Sequence, residues 1–287
     1  MICDPDLLKK MFITDSNHFL DRRFIPDIPG SIVNETLPAL SNEKWKYVNN
    51  FVHPLFSPNK MKRMFPLVLE QAQALISFCR KRVETDPCVD IESISKKVIF
   101  GSSLSCGCGI EGNVFGDNKL NTLFSKVESM LSVLRAFIVI WSATISKLLG
   151  IKCDPTILDE LGREIEKSIK NRSEGYERED FVNFILHANM KINNTATPGK
   201  TGLSESSTIA QCLTFPGAGL DTAASTLTYI LFLLAKYPKE QERLHQELQE
   251  LLQEEGELTF RGLSSAKMMD AVVNGLYYLL KLKVEAQ

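Results

Sequence analysis

The sequence lacks most of the features that place a protein at a glance. Lys and Arg number 33 against 35 Asp and Glu, a formal net charge of −2, and no basic block stands out. A nucleic-acid footprint is therefore missing. No run of about 18 uncharged apolar residues occurs, so no membrane-spanning helix is predicted. Met1 to Lys10 holds no apolar core flanked by positive charge and does not read as a signal peptide. His18, His53, His187 and His245 stand far apart and form no ligand or triad motif. Strand signals are few, no internal repeat is evident, and no linker divides the chain.

Cysteine is present but not arranged for chemistry. The seven lie at 3, 79, 88, 106, 108, 153 and 212, and without a secretory signal they read as reduced thiols of a cytosolic compartment. Cys106-Gly107-Cys108-Gly109 lacks the spacing of a four-ligand metal site and has no histidine nearby, so two ordinary thiols in a turn are expected. Asn34, Asn171 and Asn193 open Asn-x-Ser/Thr triplets, which matter only in a secreted chain.

What is present is a globular composition, 44% hydrophobic and 24% charged, with helical periodicity throughout. Met61, Met64, Phe65, Val68, Ala72, Leu75, Ile76, Cys79 and Val83 recur at three and four behind the start signal Ser57-Pro58. Leu158, Leu161, Ile165 and Ile169 mark a second helix, and Phe181, Phe184, Ile185 and Ala188 a third. Asn193 to Gly202 reads as a loop. From the N-cap candidate Ser204, a long stripe runs through Ile209, Leu213, Leu220, Ala223, Ala224, Leu227, Ile230, Leu231 and Leu234 to Tyr237. Its flanks are also apolar or small, which predicts a helix buried nearly all round. Pro238 ends it and opens a surface helix with the narrow stripe Leu244, Leu248, Leu251. Met130 to Ile151 is strongly apolar but carries Arg135 and Lys147. It reads as a buried amphipathic hairpin, with contact at a membrane surface as the alternative. The expectation is a mainly α domain.

The candidate chemistry lies in the long helix, at Phe215-Pro216-Gly217-Ala218-Gly219-Leu220-Asp221-Thr222. In a helix interior each glycine costs about 1 kcal/mol relative to alanine and a proline about 3 kcal/mol. Breakers bunched in this way predict a local kink or the close approach of something large and flat. Beside them stand an acid and a hydroxyl on an apolar rod, and a buried carboxylate needs a partner or a function. A plainer reading stays open, in which Asp221 faces a polar neighbour and the glycines only allow helices to pack.

Ala218-Gly219-x-Asp221-Thr222, then Thr226-Leu227, Leu231-x-x-Leu234-Ala235-x-x-Pro238-x-x-Gln241-x-x-Leu244-x-x-Glu247-Leu248, resembles the central helix and following helix of cytochrome P450 enzymes. Trp45-Lys46 and Pro54-x-Phe56-Ser57-Pro58-x-Lys60-Met61-Lys62-x-Met64 resemble the family's third helix and the segment after it. Asp180-Phe181 resembles the start of the helix before the long one, and Lys267 to Asn274 the approach to the helix that carries Glu-x-x-Arg. The resemblance is closest to the microsomal, drug- and steroid-oxidising type. It implies a single, incomplete P450-like helical domain over 1–287, with similarity to about residue 274 and a divergent tail at 275–287.

The resemblance also implies a haem cofactor and insertion of one oxygen atom of dioxygen into small lipophilic substrates. Ala218 and Gly219 would lie over the haem face in the oxygen groove. Asp221 and Thr222 would pass protons towards the oxygen being reduced, and Trp45 would donate its indole N–H to a haem propionate. NADPH-cytochrome reductase would be the electron-donating partner at the endoplasmic reticulum surface, with 130–151 roofing the substrate pocket and touching the membrane.

Departures from the family are specific. Asn49 stands where the family usually has Arg, and Pro216 where it has a helix-compatible apolar residue. Gly275-Leu276-Tyr277-Tyr278 stands in place of Glu-x-x-Arg, and the loop Phe-x-x-Gly-x-x-x-Cys-x-Gly does not occur. The anchor, hinge and first strands of the family precede Met1, and Ile2 to Lys10 reads as the first helix already under way. The expectation is therefore a chain without the axial cysteine, with no metal site of its own and inactive as it stands. A non-catalytic helical binding module competes with it, whereas a segment 275–287 from another reading frame or a retained intron is compatible with it.

Overall fold

The computed structural model describes residues 2–21, 30–86, 88–131, 155–194 and 201–275. Those residues form helices and turns, with no strand among them. The mainly α expectation holds.

The helix starts follow local chemistry. Asp4 accepts from the Asp6 and Leu7 N–H groups, so α1 (Pro5–Lys9) begins there rather than being already under way at Ile2. Helix α2 spans Asn42–Val52. Helix α3 (Pro58–Thr85) opens on Pro58, whose missing N–H has no partner to lose at that position. Asp90 caps α4 (Ile91–Gly107) through the Glu92 and Ser93 N–H groups. Asp117 does the same for α5 (Asn118–Leu131) through Lys119 and Leu120. Then come α6 (Pro155–Ser173), α7 (Phe181–Asn194) and α8 (Glu205–Lys236), the last capped by the Ser204 hydroxyl on the Ser207 N–H at 3.1 Å. Helix α9 (Pro238–Glu255) ends on Gly256 at φ 76°, a left-handed cap that glycine adopts without strain. After the short α10 (Phe260–Ser265), helix resumes over 267–275, where the Glu247 carboxylate accepts from the Met268 and Met269 N–H groups.

The fold turns on α4 and α8, which lie side by side and antiparallel. A Cβ at Gly107 would fall 2.3 Å from Cγ of Phe215, and one at Gly219 would meet Ser103 Oγ at 3.4 Å. Further along, Glu92 shares a cleft with Thr228 and Tyr229. As the residue number falls along α4 it rises along α8. Phe100 and Leu104 from α4, Cys108 just beyond it, and Cys212, Leu213 and Leu220 from α8 join one core with α6 and α7.

Two burial expectations are corrected. Helix α8 is buried from Ser207 to Leu213 and at Pro216, Leu220 and Ala224, but Tyr229 and Phe232 are 52% and 59% exposed. Its first half is covered by α6 and by the turn Ile32–Glu35 as well as by α4: the Gln211 amide donates to the Glu35 carbonyl at 2.7 Å. Its C-terminal turns lie beside the start of α4 in an open cleft with Glu92. Helix α8 is also the one helix among the described residues long and apolar enough, by length and composition, to cross a membrane. Its buried Ser207, Thr208 and Gln211 mark the first half as a core helix instead. On α3 the apolar stripe is split: Met64 and Leu67 are buried, while Met61, Val68, Ile76 and Val83 are exposed. Among the described residues, close packing covers the Met64–Gln71 side most fully, with Phe65 meeting Phe260 beside it. The surface helix α9 is as expected, with Leu244 alone buried. Most of Met130 to Ile151, the loop at 195–200 and the tail from 276 lie outside the described residues.

Candidate functional site

Helix α8 continues unbroken through Pro216, Gly217 and Gly219. Pro216, Leu220 and Ala224, spaced by four, are buried, which turns Gly217, Ala218, Thr222 and Ser225 outward. All four are exposed, and a Cβ at Gly217 would meet nothing within 4 Å. Gly219 instead is half-buried against Ser103, so its missing side chain serves the approach of α4. The structure thus divides the two glycines: one lets helices pack, the other leaves a face bare.

Thr222 and Asp221 border the bare face. The Thr222 hydroxyl donates to the Ala218 carbonyl at 2.7 Å, and the Thr226 hydroxyl to the Thr222 carbonyl at 3.0 Å. Such back-bonding fixes the rotamer and leaves the hydroxyl oxygen able to accept a hydrogen bond. Asp221 is half-exposed and pairs with no cation among the described residues. Trp45, half-buried on α2, packs against the core. Its helix leads into the turn His53–Phe56, whose Phe56 ring stacks on Phe215 with centroids 5.6 Å apart. Ala218, Asp221 and Thr222 therefore share one short stretch, whereas Trp45 lies on a separate helix against the core.

The cysteines occupy other ground. Cys106-Gly107-Cys108-Gly109 is the end of α4 rather than a free turn. Gly109 at φ 66° lets the Ile110 N–H return to the Leu104 carbonyl, which also accepts from the Cys108 N–H. Cys106, Cys108 and Cys212 are buried, and burial pushes all three thiols up, Cys106 to about 11. The Cys108 thiol donates to the Cys212 carbonyl at 3.5 Å. Among the described residues no group of three or more His, Cys, Asp or Glu could hold a metal.

A haem needs a surface free of side chains on its oxygen side and an axial donor on the other. Gly217 and Ala218 meet the first need. The buried thiols do not meet the second, because a thiol kept protonated is a poor ligand. The described residues fit one side of the group.

Two further features went unread in the sequence. Arg172 and Asp180 form a buried ion pair, and Gln71, buried at 4% exposure, donates to the Gly112 carbonyl at 3.1 Å. A cleft of about 640 Å³ lined by Gly109, Glu111, Glu164, Lys167, Arg172 and Tyr176 shares no residue with the 217–222 face.

A central helix that packs one side on α4 turns an opposite face of small residues, flanked by an acid and a hydroxyl, to the surface of a mainly α protein. The chain belongs to the cytochrome P450 family, whose family model matches residues 1–275. It is 26% identical over 285 residues to cytochrome P450 6a2 of Drosophila melanogaster, covering 95% of this chain and 56% of that protein. It is 27% identical over 288 residues to cytochrome P450 3A6 of Oryctolagus cuniculus, covering 96% and 56%. Cytochrome P450 6j1 of Blattella germanica is 26% identical over 285 residues. The chain spans about half the length of these curated relatives.

Proposed function

We propose that this chain forms the oxygen-side portion of a haem-dependent monooxygenase acting on small lipophilic substrates, with Gly217 to Thr222 as the surface turned to the cofactor. The observation that carries the proposal is the bare face at Gly217 and Ala218 on a helix whose opposite side is locked against α4. Haem supplies the redox chemistry that activates dioxygen when it is bound.

The chain's own residues have defined tasks on this reading. Gly217 and Ala218 keep side chains out, so a flat group can lie close to α8. A flat group laid over this exposed face would exclude water from it, which would limit proton supply to placed groups. Thr222, anchored through its hydroxyl on Ala218, holds a proton at Oγ1, and the half-exposed Asp221 replenishes it from solvent. Trp45 supplies an indole N–H to a propionate. Electrons would come from NADPH-cytochrome reductase at the endoplasmic reticulum surface, and 130–151 would meet the membrane there.

Titration of ferric haem into the purified chain tests this. Paramagnetic broadening of amide resonances should appear first at Gly217, Ala218 and Thr222, with α9 unaffected. Broadening spread without regard to that face would overturn the proposal. The reduced, carbon monoxide-bound complex should lack the absorption of thiolate-ligated haem. Its appearance would mean that one of the chain's own cysteines reaches the iron, against the donor chemistry described above.

A further inference from the structure

Pro216 has no N–H, and its ring crowds the carbonyl one turn back, that of Cys212. A carbonyl deprived of its helical donor inside a core has to find another partner or bear the cost of burial unpaired. Cys212 is fully buried, so water does not reach it. The donor placed there is Cys108 Sγ, at 3.5 Å. It comes from the first residue beyond α4, which is also fully buried. Gly107, the residue before it, is what lets α4 end so close: Phe215 fills the space its side chain would take.

We propose that Cys108 is a positioning residue for the 217–222 face, its thiol standing in for the backbone N–H that Pro216 lacks and so holding α8 to one course through its proline. Two departures from ordinary helix design thereby explain each other. A proline is tolerated in a buried helix because a neighbouring helix end brings a donor to the freed carbonyl. The Cys108 thiol is kept protonated by its burial, and only the protonated form can donate. A serine hydroxyl could make the same bond, whereas valine would fill the space without a donor.

The proposal gives the proposed haem-facing surface a fixed direction, and it rests on that reading for its functional meaning. Its tests need no haem, so either idea can fail alone. The first is a double-mutant cycle on the full chain, read by thermal unfolding. Cys108→Ala should lower the midpoint by about 2–4 °C. It should lower it by less than half as much when Pro216→Ala is also present, because the backbone N–H restored by that substitution then serves the Cys212 carbonyl. Cys108→Ser should recover most of the loss and Cys108→Val should not. Amide exchange at Leu220 to Thr222 should quicken in the alanine variant and return in the serine variant.

The second test is infrared and uses the unsubstituted chain, so it stands even if a variant fails to fold. The Cys108 S–H stretch should lie below that of Cys106, whose sulfur faces the Met64 carbonyl from 4.0 Å. Equal losses from Cys108→Ala in both backgrounds would overturn the proposal, as would an S–H spectrum with no component below that of Cys106.

Discussion

Arg172 and Asp180 meet at 2.6 Å with side chains 2% and 0% exposed. The pair ties the last turn of α6 to the residue just before α7, and Asp180 uses its other oxygen to cap α7 through the Asn183 N–H at 2.9 Å. Burial pushes the Asp180 carboxyl up, and the Asn183 N–H and the Arg172 guanidinium pull it back down. The two helices that floor α8 are thus joined at a charge that the core tolerates only while it is paired.

Arg172→Ala removes that pairing and should cost about 3–5 kcal/mol at neutral pH. The folded carboxyl then rises further, while the unfolded one stays near the ordinary value of about 3.9. As pH falls through the folded value, the native state takes up a proton before the unfolded state does. The deficit is therefore complete above that value and shrinks below it. Urea unfolding of parent and variant at pH 7.5 and pH 5 measures this. An equal deficit at both would show that Asp180 finds another partner, with Arg178 the nearest candidate.

Much of the fold was legible, for a local reason. Each of α3, α6, α7, α8 and α9 carries its apolar residues at three and four, and α8 and α9 also announce their starts with Ser204 and Pro238. Periodicity reports which residues are apolar but not which neighbours arrive. It therefore placed Val68, Ile76 and Val83 in a core that covers only Met64 and Leu67. The same limit hid the bare end of α8 at Tyr229 and Phe232. In the candidate site, Ala218, Asp221 and Thr222 could be grouped from the sequence because they are close along one helix. Cys108 and Cys212 could not, since their bond joins residues 104 apart. Pro216 was recognised as a breaker, but nothing nearby in sequence identified what relieves it. The Arg172–Asp180 pair had no signal of its own, because an apolar stripe says nothing about which charges meet where one helix ends and the next begins.

Gly107 and Gly217 should respond oppositely to the same substitution. Gly107→Ala puts a methyl 2.3 Å from Phe215 Cγ and 2.5 Å from its Cβ, and the Cβ is fixed by the backbone whatever the rotamer. The ring is also held between Phe56 and Phe181, with centroids at 5.6 and 4.7 Å. A loss of about 1–3 kcal/mol is expected from such overpacking. Gly217→Ala meets nothing within 4 Å and removes a flexible residue from a helix interior. It should gain up to about 1 kcal/mol. Chemical denaturation distinguishes the two, and a destabilised Gly217→Ala would mean that the bare face is not open. If that face receives haem, the more stable variant should bind it more weakly.

The thiols provide a pH test of the core. Cys3 and Cys88 are exposed and should alkylate readily in the native chain, whereas Cys106, Cys108 and Cys212 should react only on unfolding. Burial lifts Cys106 from the ordinary 9.0 to about 11. Between those values the native state keeps a proton that the unfolded state has released. Its contribution is thus intact below about pH 9 and declines as pH rises towards 11. The decline amounts to about 2–3 kcal/mol for this one group, and Cys108 and Cys212, raised for the same reason, steepen it. Cys106→Ala should flatten the fall in urea stability between pH 8 and pH 10.5 by most of that amount. An unchanged slope would place the Cys106 thiol in contact with solvent, and the end of α4 would then be looser than its packing against Phe215 requires.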